Sequence, residues 1–496
     1  MSQSPAPRPD PVDPAAPTGD EGGSHSLSEP PGPPANLATD RLGTQSIPRL
    51  LWQFCVPAVV GMFVQAIYNI VDRIYLGQGV DELAIAGVGL VMPVMMIIQA
   101  LSILIGVGAN SLFAIRMGQG RTDVVEKIMG HAFVLLFVIP GIGIIAANIF
   151  FETIVRDLLG ASDDVYPYAA TYLRIILYGS IFAAMSPGLT HFIRSDGHPR
   201  TSMLVQIIGA LCNIVLDPIF IFGFDMGVAG AAWATIISQF VSLVFVLGYF
   251  NSRFTRLRFR LRNMRLEPRL VGSIMAIGAA PCVLQLAMSL VGVFQNQQLI
   301  KYGGDMALTA MTITFSVGVI IFMPLMGIGQ GTQPIIGYNY GAQKYDRVKR
   351  TFMLSLAGMT AVLVLGWLAS ELTPGLLVRV FSDDTGELAA LAATTLRIAN
   401  CLFPLVGLSI LGGQFFQSIG KPVQAAIVSL SRQVLLFLPC LYLFPLLWPQ
   451  LGRPAVEGIF WSFPAADLLA ALLTFVFVSR EFKRLGTGVN DNRLVA

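Results

Sequence analysis

Twelve long apolar runs divide this chain, near residues 50–76, 83–112, 129–150, 166–193, 201–222, 228–250, 271–300, 307–333, 351–373, 389–417, 424–446 and 456–478. About 20 helical residues cross a hydrocarbon core, and every run is long enough. Backbone groups in lipid must bond to one another, so only helices or a closed barrel can span. Runs this continuous predict helices rather than the short alternating strands of a barrel. The expected fold is therefore all-α and integral to a membrane, with twelve transmembrane helices. A content of 54% hydrophobic and only 12% charged residues agrees.

Lys and Arg in short connections set the orientation. They follow the even-numbered spans: Arg116, Arg121 and Lys127; Arg194 and Arg200; seven arginines between Arg253 and Arg269; then Lys344, Arg347, Lys349 and Arg350. The odd connections lean acidic, with Asp81 and Glu82, Asp163 and Asp164, and Asp383, Asp384 and Glu387. Even loops are thus cytoplasmic, and both termini are expected inside. Residues 1–46 are rich in Pro, Gly, Ser and acidic side chains and predict a disordered cytoplasmic tail. The bundles are expected at 47–250 and 271–480, joined by a basic linker at 251–270, with a short tail at 481–496.

The two bundles are copies of each other. Ala169-Ala170-Thr171-Tyr172-Leu173-Arg174-Ile175 recurs as Ala392-Ala393-Thr394-Thr395-Leu396-Arg397-Ile398, and Phe192–Pro199 recurs as Phe415–Pro422. Gly79-Val80-Asp81 answers Gly303-Gly304-Asp305, Gly106-Val107-Gly108 answers Gly327-Ile328-Gly329, and Gly230–Trp233 answers Gly458–Trp461. A repeat with an even number of spans enters the membrane twice in the same direction, giving parallel repeats around a central cleft. Gly106 and Gly108 suit close helix packing.

Ionisable residues inside a bilayer are costly and mark function. The repeat supplies an internal control: Asp72 falls opposite Leu299, Asn213 and Asp217 opposite Cys440 and Phe444, and Thr235 opposite Phe463. This polar set exists in the first half only. Helical spacing puts Gln65, Asn69 and Asp72 on one stripe, and Asn213 and Asp217 on one face. Two carboxyl groups held together in a low dielectric can share an exchangeable proton, and hard oxygen ligands equally suit Na⁺. Pro57 removes a backbone hydrogen bond and gives the first span a place to bend. Met92, Met95 and Met96 suit packing or an adaptable apolar wall, and Arg174 and Arg397, present in both halves, suit anchoring.

Other chemistry finds no support. Five cysteines lie in apolar runs without metal or disulfide spacing, four histidines show no ligand pattern, and no phosphate loop occurs. A net charge of +3 does not suggest nucleic acid. No cofactor beyond a coupling ion is expected, and an enzyme would need a nucleophile or metal constellation that is not readable.

Tyr68-Asn69-Ile70-Val71-Asp72-Arg73-Ile74-Tyr75-Leu76-Gly77, Asn213–Pro218 and Gly227–Thr235 together resemble the multidrug and toxic compound extrusion (MATE) family, in its bacterial DinF/MepA-like branch. The likeness covers about residues 47–485. It implies two six-helix lobes and export of drugs or toxins, cationic or lipophilic, in exchange for H⁺ or Na⁺. The implied cation site is Asp72, Asn213, Asp217 and Thr235, with Na⁺ a candidate at the two aspartates and Pro57 as the hinge. Gln65, Tyr68, Asn69, Gln285 and Asn296 are candidate supporting or substrate-contacting residues. The resemblance places the chain in a bacterial inner membrane, as a monomer. A flippase for a lipid-linked precursor is the alternative, and would require several cations in the cleft.

Overall fold

In a computed structural model the described residues are 37–80, 82–381 and 386–486. Residues 1–36 and 487–496, Asp81, Asp383 and Asp384 lie outside them. Fifteen helices are described: α1 Leu37–Thr44, α2 Ile47–Gly79, α3 Glu82–Gly118, α4 Thr122–Ile149, α5 Tyr166–Ser195, α6 Pro199–Pro218, α7 Gly227–Asn251, α8 Pro268–Gly341, α9 Tyr345–Leu372, α10 Pro374–Arg379, α11 Glu387–Asn400, α12 Phe403–Ser418, α13 Pro422–Leu430, α14 Phe437–Leu447 and α15 Ala455–Gly486. Prolines open α6, α8, α10 and α13, where the missing N–H costs nothing.

The predicted spans map onto these helices. The 74 residues of α8 hold two spans, broken where Gly304 takes φ 62°, a left-handed angle that suits glycine. One run, 389–417, is bent by 53° between α11 and α12. The chain is a multi-pass membrane protein of twelve spans, counting α8 twice and α11 with α12 once. The repeat is visible in the backbone: the turns between α5 and α6 and between α12 and α13 each place a glycine at left-handed φ, Gly197 at 88° and Gly420 at 71°.

The two lobes, α2–α7 and α8–α15, meet at the end carrying the basic connections. There glycines let backbones touch: Gly108 of α3 lies on Ile274 and Gly278 of α8, Gly331 of α8 on Cys55 of α2, and Gly341 on Ile115. Gly106 packs on Gly188 within the first lobe, so both glycines of that motif serve close packing. Buried apolar clusters at this end cross the lobe boundary, one taking Ile274 and Ile277 into the first lobe, another taking Ile115 into the second. At the opposite end the clusters around Leu76, Val91 and Tyr172 and around Leu299, Met311 and Phe460 remain separate. The lobes are thus sealed at the basic end.

Three boundaries differ from expectation. The tail expected to be disordered through residue 46 includes a helix, α1, whose Leu42 is fully buried against Ile47, Leu50, Phe54 and Ile335. Its terminal carbonyls are capped by the second lobe: Asn339 Nδ2 and Arg347 donate to the Leu42 carbonyl at 2.9 and 3.0 Å, and Lys344 donates to that of Gly43. The linker is shorter than 251–270 and is packed rather than solvated, burying Thr255 and Leu257 and holding Glu126 through Arg258, Arg260 and Asn263. The tail expected from 481 begins later, since α15 runs through Gly486 and Glu481 is ion-paired with Lys421.

Candidate functional site

Between the lobes lies a cavity of about 480 Å³. The first lobe supplies most of its wall: Met62, Gln65, Tyr68 and Asn69 from α2, Met92, Met95, Met96 and Gln99 from α3, and Asn213 and Thr235 from α6 and α7. Gln285 and Gln330 of α8 complete it from the second lobe. The methionine trio therefore faces a space rather than a packed core, where its flexible thioethers can adapt to varied apolar shapes.

Behind Tyr68 and Asn213 sit the two aspartates. Asp72 of α2 and Asp217 of α6 meet at hydrogen-bonding range. Asn213 Nδ2 donates to Asp217 Oδ1 at 3.3 Å, the one-turn spacing on α6 that the sequence implied. Tyr68 and Thr235 line the same cavity beside them. Asp217 is fully buried, Asn213 nearly so, and Arg73 beside Asp72 is exposed. Pro218 and the widened turn Ile219–Gly223 follow Asp217 directly, so the carboxyl group is held where the helix changes its winding.

Two carboxyl groups at this distance need a proton or a cation between them. Asp72 Oδ1, Asp217 Oδ2 and Asn213 Oδ1 are all buried without a hydrogen-bond partner. Three hard oxygens suit either a proton or Na⁺.

The structure thus brings Asp72, Asn213, Asp217, Thr235 and Tyr68 together, and puts Gln65, Asn69 and Gln285 on the cavity wall. Asn296 is not among the lining residues and is exposed, whereas the neighbouring Gln295 is buried. Pro57 is buried within α2, which continues through it as one helix.

Two residues were missed. Tyr172 of α5 lies beside the same carboxyl groups, and its replacement by Thr395 in the second copy was the available signal. Arg194, which its sequence position groups with a cytoplasmic loop, is only 3% exposed and lines the cavity; the rule that assigns cytoplasmic loops also captures an arginine just inside a helix end.

A sequence model of one family, MatE, matches residues 57–219 and again 281–443, once in each lobe. The chain belongs to the MatE family. Similar proteins include the multidrug export protein MepA of Staphylococcus saprophyticus, 26% identical over 86% of this chain and 92% of its own. MepA of Staphylococcus aureus is 25% identical over 87% and 93%. Among solved structures, an outward-facing multidrug resistance MATE transporter of the MOP superfamily superposes with TM-score 0.83 at 22% identity, over 90% of this chain and 98% of the other. A MOP superfamily transporter of Pyrococcus furiosus gives 0.81 at 23% over the same shares. A MATE in a bent conformation gives 0.84 at 22%, over 91% and 98%. The twelve-helix fold is common to all three.

Proposed function

We propose that the protein is a secondary active multidrug exporter, carrying cationic or lipophilic small molecules out of the cell in exchange for H⁺ or Na⁺. It acts as a monomer in a bacterial inner membrane, with both termini and the basic connections inside, and needs no cofactor beyond the coupling ion. Sealed basic-end contacts then make this conformation outward-facing. The relatives named for multidrug export support the cargo. The observation that carries the coupling is the meeting of Asp72 and Asp217 directly behind the cavity wall.

An entering cation changes the charge of that pair and so the attraction between α2 and α6. Tyr68, Asn69 and Gln65 ride on α2 and also form the wall, so the same shift alters the grip on the cargo. The two ligands thereby exclude each other, which is the thermodynamic content of exchange. A flippase for a lipid-linked pyrophosphate is less well supported, because the wall offers a single cation, Arg194.

The test is dye export from liposomes containing the purified protein, under separately imposed proton and sodium gradients. Asp72→Asn and Asp217→Asn should each remove gradient-driven export while leaving dye binding measurable. Undiminished driven export in either variant refutes the assignment.

A further inference from the structure

Arg194 is the one formally charged side chain among the described residues lining the cavity, and it is buried. Its partners are neutral: NH1 donates to Gln330 Oε1 at 3.0 Å and weakly to the Gln330 carbonyl at 3.4 Å, and NH2 reaches Ser202 Oγ at 3.5 Å. Among the described residues no carboxylate pairs with it. A guanidinium has five N–H donors in a fork that fits a carboxylate, and burying it beside neutral groups alone is costly.

A second group points into the same place. His191, three residues earlier on α5, also lines the cavity, and its Nδ1 is buried without a hydrogen-bond partner. In the sister lobe the aligned residues are neutral glutamines, Gln414 and Gln417. The basic character is therefore confined to one lobe, as the aspartate pair is. Ser202, at Arg194, and Asn213, at the aspartates, are eleven residues apart on α6, about 16 Å along the helix. The cation chemistry and this basic floor are thus separate stations of one cavity.

Building on the exporter reading, we propose that Arg194 receives an anionic group of the cargo, so that the cavity carries amphipathic carboxylic acids and zwitterions. The carboxylate sits at Arg194 and His191. The apolar body lies along Met62, Met92, Met95 and Met96.

Rhodamine B, which bears a carboxylate, and its ethyl ester, which is purely cationic, form a matched pair of probes. Export of each is followed from liposomes holding the full-length protein, and binding of each to the purified protein by fluorescence anisotropy. Arg194→Gln copies the sister lobe's residue. It should weaken binding and export of the acid about tenfold, the effect of losing one charge-assisted partner, and change the ester by less than about twofold. Arg194→Lys should fall between.

Equal losses for both dyes would make Arg194 a brace between the lobes and overturn the proposal, as would no loss for either, or a wild-type protein that binds only the ester. If the wild type binds both dyes but exports neither, the exporter reading fails, while the binding ratio in Arg194→Gln still judges the subsite.

Discussion

Gly108 of α3 and Gly278 of α8 face each other across the lobe boundary with their backbones in contact, so that a side chain on either would strike the other helix. This contact makes the seal at the basic end sensitive to a single methyl group. Gly278→Val would meet the Leu104 carbonyl, and overpacking of this kind costs about 1–3 kcal/mol. Cys55, buried at the same boundary with its thiol on the Ile328 carbonyl, is a built-in reporter. With Cys212, Cys282, Cys401 and Cys440 replaced by Ala, Gly278→Val should raise the maleimide labelling rate of Cys55 about tenfold. An unchanged rate would mean that these glycines do not hold the seal.

In the second lobe Asp467 of α15 is 2% exposed and bound to Arg432, which sits in the widened turn Ser431–Leu436 between α13 and α14. Removing one member of a buried pair strands the other, at a cost of about 3–5 kcal/mol. Asp467→Asn should therefore lower the melting temperature in detergent more than the double variant Arg432→Met with Asp467→Leu, which removes both charges. A double variant no more stable than the single one would argue against stranded charge.

Asp196, in the turn joining α5 to α6, is buried beneath Tyr249, whose hydroxyl donates to its Oδ2 at 2.6 Å. Burial pushes its carboxyl above the ordinary range, against the hydrogen bonds from Thr255 and Tyr249 and the nearby His198. A raised folded-state value adds stability below the ordinary carboxylate range, near about 4, that is lost as pH climbs through the raised value, about 1.4 kcal/mol per unit of displacement. Melting temperature should decline over that window in the wild type and less steeply in Asp196→Asn, which keeps an acceptor for Tyr249. Identical slopes would exclude Asp196 as the source.

The spans and the duplication were readable because lipid imposes long apolar helices and because the copies keep their turn glycines, Gly197 and Gly420. Asp72, Asn213 and Asp217 were readable because the second copy carries apolar residues or Cys440 there. The same comparison, Arg194 against Gln417, would have singled out the cavity arginine had its place at a helix end not invited a loop assignment. Arg432 and Asp467 lie in separate apolar runs, 35 residues apart, and only tertiary packing joins them. Residues 37–44 looked like tail because the side chains that cap them, Asn339, Lys344 and Arg347, come from the other lobe.

That last arrangement has a consequence for biosynthesis. The Leu42 carbonyl waits for Asn339, 297 residues downstream, and for Arg347 beyond it. At about 5–20 residues per second, translation takes about 15–60 s to deliver those partners. Throughout that interval α1 can pack on Ile47, Leu50 and Phe54 of α2, but its terminal carbonyls lack their caps, and that capping can only be among the last events of assembly.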